Sequence, residues 1–168
     1  MRERLKFTLK AWVVITVTTL ALSWLTEAFF KYILGVELPE QGQVEIVRKL
    51  IEARAWKAIG LNLGLVLVAA PVVEEIIFRW VTRLGWRWPV AWGMISSVMA
   101  TMFTAAHYYM SGTHFPDNAF VALFAFGLMQ AWLYKHTKWL WCSMLTHALF
   151  NTTNIVLLVI MLICGLDR

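Results

Sequence analysis

The sequence predicts an all-α fold, a polytopic transmembrane helix bundle of about five spans plus one interfacial helix, forming a single membrane domain over residues 1–168. Three observations predict it. Hydrophobic residues make up 60% of the chain, with ten Trp and eight Met, more than an ordinary soluble domain of this size carries. Apolar runs recur at lengths near the roughly 20 residues that cross the hydrocarbon core as a helix. Basic and aromatic residues gather at the ends of those runs, at the level of lipid headgroups.

The first span is expected over about residues 9 to 30, with Glu27 and Lys31 at its far end. Residues 44–56 alternate charged and apolar groups at helical spacing, with Ile46, Leu50 and Ala53 or Arg54 along one side. That pattern suits a short helix lying at the interface. A second span runs from near Ile59 to Leu84 or Gly85, and Pro71 inside it removes a backbone donor and predicts a kink just before Glu74. Arg83, Gly85, Trp86, Arg87, Trp88 and Pro89 form a basic, aromatic turn. The third span covers about Val90 to Tyr109. Residues 111–118 are a loop without Lys or Arg, and Asp117 or Asn118 is the expected N-cap of a short fourth span, Ala119 to Tyr134. Trp139 to Leu166 carries no formal charge and reads as one long final span. Arg2, Arg4, Lys6 and Lys10 share an end with Arg83, Arg87, Lys135 and Lys138, so the charge rule predicts a cytoplasmic N-terminus, with Arg48, Lys49, Arg54 and Lys57 as the objection.

Composition also excludes. The formal charge of +5 alone would suit nucleic acid, but its clustering at span ends points to membrane lipids as the partner and against nucleic acid. Cys142 and Cys164 fall in apolar segments and make neither a metal-binding spacing nor a disulfide scaffold. The basic N-terminus leads into an apolar run too long for a signal-peptide core and without a clear cleavage site, so it reads as a retained anchor.

Chemistry is expected where ionisable groups interrupt the apolar runs, because charge in hydrocarbon is costly. Glu74 and Glu75 are adjacent and therefore point about 100° apart on a helix, so their roles differ. Glu75 and Arg79, four apart with the acid first, are placed for an ion pair that supports the helix. Glu74 has no sequence-local cation, and a poorly solvated carboxylate can serve as general base near neutral pH or as a structural hydrogen-bond partner. The third span presents Phe103 and His107 on one face. The fifth places His147 and Asn151 one turn apart, with Ser143 a turn earlier, a pair able to donate to developing oxyanion charge or to join helices. Glu74, His107 and His147 also offer a three-ligand zinc site, although no His-Glu-x-x-His spacing exists. A glutamate spent on metal would leave the reaction needing another base, which favours a site without a metal or other cofactor.

Three motifs resemble those of the CPBP family, the membrane enzymes related to CAAX prenyl proteases and to bacteriocin-processing or self-immunity proteins. They are Glu74-Glu75-Ile76-Ile77-Phe78-Arg79, Phe103-Thr-Ala-Ala-His107 and His147-Ala-Leu-Phe-Asn151, in that order over a core of about residues 65–155. The resemblance implies a glutamic-type intramembrane endopeptidase acting on a membrane-associated or lipidated protein or peptide, in the cell membrane of a prokaryote. It implies that Glu74 and His107 position and deprotonate water, that His147 and Asn151 stabilise the oxyanion, and that Glu75, Arg79 and Phe103 support them. Trp80 and Ala131 stand where small glycines are common in the family, and Trp80 is expected to narrow the approach. The alternative is a non-enzymatic immunity or scaffold protein that holds a toxin or membrane partner. Proton or ion passage is a third class, but the ionisable groups form no ladder across the bilayer. One geometric tension stands. Counting at about 1.5 Å per residue from the Trp86–Pro89 turn puts Glu74 about 18 Å deep and His107 about 27 Å deep, while His147 lies about 12 Å from Trp139.

Overall fold

The computed structural model describes residues 2–39, 42–111 and 117–164. Among them there are six helices and no strand. They are α1 (Arg2–Ile33), α2 (Gly42–Glu52), α3 (Trp56–Gly85), α4 (Pro89–Ser111), α5 (Phe120–Thr137) and α6 (Leu140–Cys164). Helices α1, α3, α4 and α6 are long and apolar enough to cross a membrane. The short fourth span expected from sequence is α5, 18 residues long, which is not among those four. Gln130, Lys135 and His136 lower its apolarity, and it packs between α1, α4 and α6. Most of the loop expected at 111–118 lies outside the described residues, as do the last residues of the final run.

Side chains are sorted as lipid solvent dictates, with the polar groups inside and the apolar ones out. Val13, Val14, Val17, Ile76, Ile77, Val98 and Ile160 are exposed, whereas Thr8, Thr16, Thr19, Glu75, Arg79, Gln130, Ser143 and His147 are buried. Several buried hydroxyls, those of Thr8, Thr19, Thr26 and Thr104 among them, bond back along their own helices, as Thr19 Oγ1 does to the Ile15 carbonyl at 2.8 Å.

Two glycines permit the closest approaches. A Cβ on Gly127 would lie 2.9 Å from Ala100 Cβ and 3.0 Å from Ala100 Cα, so α4 and α5 meet backbone to backbone there. A Cβ on Gly85 would lie 2.6 Å from Trp92 N and Cα, which only a glycine allows as α3 turns into α4.

One end of the bundle gathers the start of α1, the α3–α4 turn and the α5–α6 junction. Phe7 stacks on His136 at 4.6 Å, Trp86 meets Tyr134 at 4.8 Å and Arg4 lies 4.1 Å above the Trp139 ring. At the other end Phe30 meets Phe120 at 6.3 Å. Asp117 bonds the Tyr108 hydroxyl and accepts the Ala119 N–H at 2.8 Å. The cap position of α5 is thus Ala119, and Asp117 serves that end from two residues earlier. In α2, among the residues whose burial is described, Val47 is buried and Ile46 is exposed.

Helix α3 is the least regular and the most consequential. Pro71 does not simply kink it. Leu65–Ala69 and Glu75–Arg79 are wound as π-helix and Trp80–Gly85 as 3-10 helix. In the first π turn the Ala70 N–H reaches back five residues to the Leu65 carbonyl. Continuing that register would require a donor at position 71 for the Val66 carbonyl, and proline has none. A side chain of another helix supplies it.

Candidate functional site

Three helices bring the predicted residues together. Glu74 Oε2 lies 3.9 Å from His107 Nε2 of α4 and 3.7 Å from His147 Nε2 of α6. His107 Nδ1 is 2.9 Å from the Phe103 carbonyl and His147 Nδ1 is 3.0 Å from Glu75 Oε1. A carbonyl and a carboxylate can only accept, so each Nδ1 carries a proton and each Nε2 faces the same Glu74 oxygen. That oxygen is buried and has no hydrogen-bond partner among the described residues.

The unequal counts from the Trp86–Pro89 turn do not keep the three residues apart, since Glu74 lies within 3.9 Å of both imidazoles.

Glu75 is the opposite of Glu74 in its surroundings. It is fully buried, bonds the Ser143 hydroxyl and His147, and pairs with Arg79 Nε at 3.3 Å. The ion pair read from the four-residue spacing is present, and His147 joins it from 72 residues away. Arg79, also fully buried, lies with its guanidinium carbon 4.7 Å above the Phe103 ring. Phe103 in turn packs 4.4 Å from the His107 ring and 5.8 Å from Phe126. A buried cation held by one carboxylate and one aromatic face avoids the cost of an uncompensated charge.

Ser143 Oγ also lies 3.1 Å from Gln130 Oε1. One hydroxyl proton cannot serve two acceptors, and Glu75 takes it. The Gln130 carboxamide, whose Nε2 has no other partner, donates to Ser143 when turned about its last torsion. Gln130 is fully buried and sequence reading missed it, although it is the one carboxamide inside the apolar run of α5.

Asn151 closes the arrangement in a way its motif does not announce. Its Nδ2 donates to the Val66 carbonyl at 2.8 Å, the group that Pro71 and the π turn leave without a backbone donor. One amide proton is thereby committed to holding α6 against α3, and the second remains. Trp80 is exposed on the outside of α3, so its bulk does not occupy the bundle interior, and Ala131 is buried in α5. Among the described residues no cluster of three His, Cys, Asp or Glu side chains is arranged to hold a metal ion, the trio Glu74, His107 and His147 included.

Chemically, the site sets one unsatisfied carboxylate oxygen between two oriented imidazoles inside an apolar bundle. Residues 55–153, more than half of the chain, match the family model described as Rce1-like, the type II CAAX prenyl endopeptidases. No match was found among curated proteins or among solved structures.

Proposed function

The chain belongs to the Rce1-like family of type II CAAX prenyl endopeptidases, integral membrane proteases, and from that membership we propose that it hydrolyses a peptide bond by glutamate-activated water. The observation that carries the reading is the approach of both Nε2 atoms to one unpartnered oxygen of Glu74. Separations of 3.7 and 3.9 Å exceed a direct hydrogen bond, so this oxygen keeps its lone pairs for a water. Glu74 takes the proton of that water as its oxygen attacks the scissile carbonyl, with His107 orienting it.

His147 differs from His107 in its anchor. Its Nδ1 donates to the Glu75 carboxylate rather than to a backbone carbonyl, which orients the ring so that its Nε2 edge faces the developing oxyanion. The second amide proton of Asn151, one helical turn beyond His147, supplies the further donor. Collapse of the tetrahedral intermediate breaks the C–N bond, and the proton taken by Glu74 returns to the leaving amine. Glu74 serves as base in this scheme, so it is not spent on metal, and the reaction is metal-independent.

The substrate is a membrane-associated or lipidated protein or peptide. An apolar cavity of about 480 Å³ lined by Thr104, Ala105, Tyr108, Val121 and Phe124 flanks the α4 segment that carries His107 and supports an apolar chain on that substrate. The excess of Lys and Arg at the α1 start supports a cytoplasmic N-terminus in a prokaryotic cell membrane.

The test uses purified protein in detergent with a farnesylated peptide ending in Cys-aliphatic-aliphatic-X, compared across wild type, Glu74→Ala and His147→Ala. Cleavage lost in both variants and indifferent to a strong chelator is the expected result. Equal cleavage by all three would sink the assignment, and loss restored by added zinc would overturn metal independence.

A further inference from the structure

The basic end of the bundle carries a second site, distant from Glu74. A cavity of about 440 Å³ is lined by Trp92, Trp132, Lys135, His136 and Lys138. Lys135 Nζ rests 4.1 Å from the Trp92 ring and Lys138 Nζ 3.9 Å from the Trp86 ring. The indole N–H groups of Trp92 and Trp86 are buried without an acceptor among the described residues. Neither lysine is paired with a carboxylate among them. His136 is held between the Phe7 and Trp132 rings, at 4.6 and 5.2 Å, which fixes one wall. At this end of the bundle the sequence places eight Lys and Arg, at positions 2, 4, 6, 10, 83, 87, 135 and 138, against one acid, Glu3, which pairs with Lys6 at 2.9 Å.

We propose that this cavity binds the phosphate of an anionic phospholipid. Two ammonium groups resting on aromatic faces at one cavity keep their remaining hydrogens for an acceptor from outside, and a phosphate oxygen is the acceptor their charge suits. Trp88, Val90 and Trp132 are exposed at the same end, so the glycerol and acyl chains of a lipid continue along apolar surface where a free phosphate would meet nothing. The lysines select for net negative charge on the headgroup, because the surrounding cations repel the choline of a zwitterionic lipid.

Native mass spectrometry of the detergent-purified chain, titrated with phosphatidylglycerol or phosphatidylcholine, tests this. Wild type is expected to retain phosphatidylglycerol about thirtyfold better, the joint effect of two lysines near one headgroup. Lys135→Gln/Lys138→Gln is expected to reduce that preference to about twofold or less. Arg54→Gln/Lys57→Gln, which removes the same charge near the start of α3, is expected to leave it intact. Equal retention of the two lipids by wild type, or equal loss in both double variants, would overturn the proposal. Complete displacement of the lipid by inorganic phosphate at the lipid's own concentration would do so as well, by making this a soluble-anion site.

Discussion

Glu75 looks into the seam of α3, α5 and α6, where a guanidinium, a hydroxyl and an imidazole satisfy it, whereas Glu74, one residue earlier, has a buried oxygen with two imidazoles beyond hydrogen-bonding distance. The two carboxylates straddle His147, one at each ring nitrogen. On the proposed mechanism, the difference teaches how a single helix can separate support from chemistry. A fully paired buried carboxylate fixes geometry, and the cost of removing it falls on the fold. A carboxylate left without partners is costly to keep and is retained for what it can bind or deprotonate.

The comparison breaks most visibly at Glu74. Glu74→Gln is expected to reduce peptide cleavage by about 10²- to 10⁴-fold, the usual share of a general base, with the melting temperature in detergent nearly unchanged. A large loss of stability instead would mean that Glu74 is a second structural carboxylate.

Glu75→Gln is expected to do the reverse and lower stability by roughly 3 to 5 kcal/mol, because Arg79 is left buried without a countercharge. Denaturation in detergent reads it directly. Restoration by the companion change Arg79→Met would confirm that the unpaired charge is the cause.

Ser143→Ala removes a neutral donor to the same carboxylate and should cost about 1.5 to 3 kcal/mol, the range for hydrogen bonds to charged groups. Cleavage per folded molecule is expected to fall less than tenfold, since His147 still holds Glu75. A loss as large as that of Glu74→Gln would make Ser143 part of the chemistry.

The smallest effect sharpens the role of Asn151. Asn151→Ala orphans the Val66 carbonyl, a loss of about 1 to 3 kcal/mol. Pro71→Ala returns a backbone N–H to α3 and should recover most of that stability in the double variant while recovering little activity. Full recovery of cleavage would assign Asn151 to helix alignment alone, and no recovery of stability would remove the link between the amide and the proline.

Much of the fold was legible because lipid leaves few options. A run of about 20 apolar residues must satisfy its backbone internally, so α1, α3, α4 and α6 follow from composition, and the aromatic, basic turns follow from the polarity of headgroups. The motif residues were legible for the same reason, since Glu74, Glu75, Arg79, His107 and His147 are conspicuous against an apolar background. Family membership then rests on residues 55–153.

What only the tertiary structure decided is which polar group meets which. Ser143, His147 and Asn151 reach partners 68, 72 and 85 residues away, and a 3.6-residue period fixes neither the rotation of one helix against another nor the places where its register slips. The π turns around Pro71, the recruitment of Gln130 and the burial of Val47 each depend on that relative rotation. The amino-acid order determined that charge would be buried in this bundle, and the packing of three helices decided that one carboxylate would be neutralised and its neighbour left open.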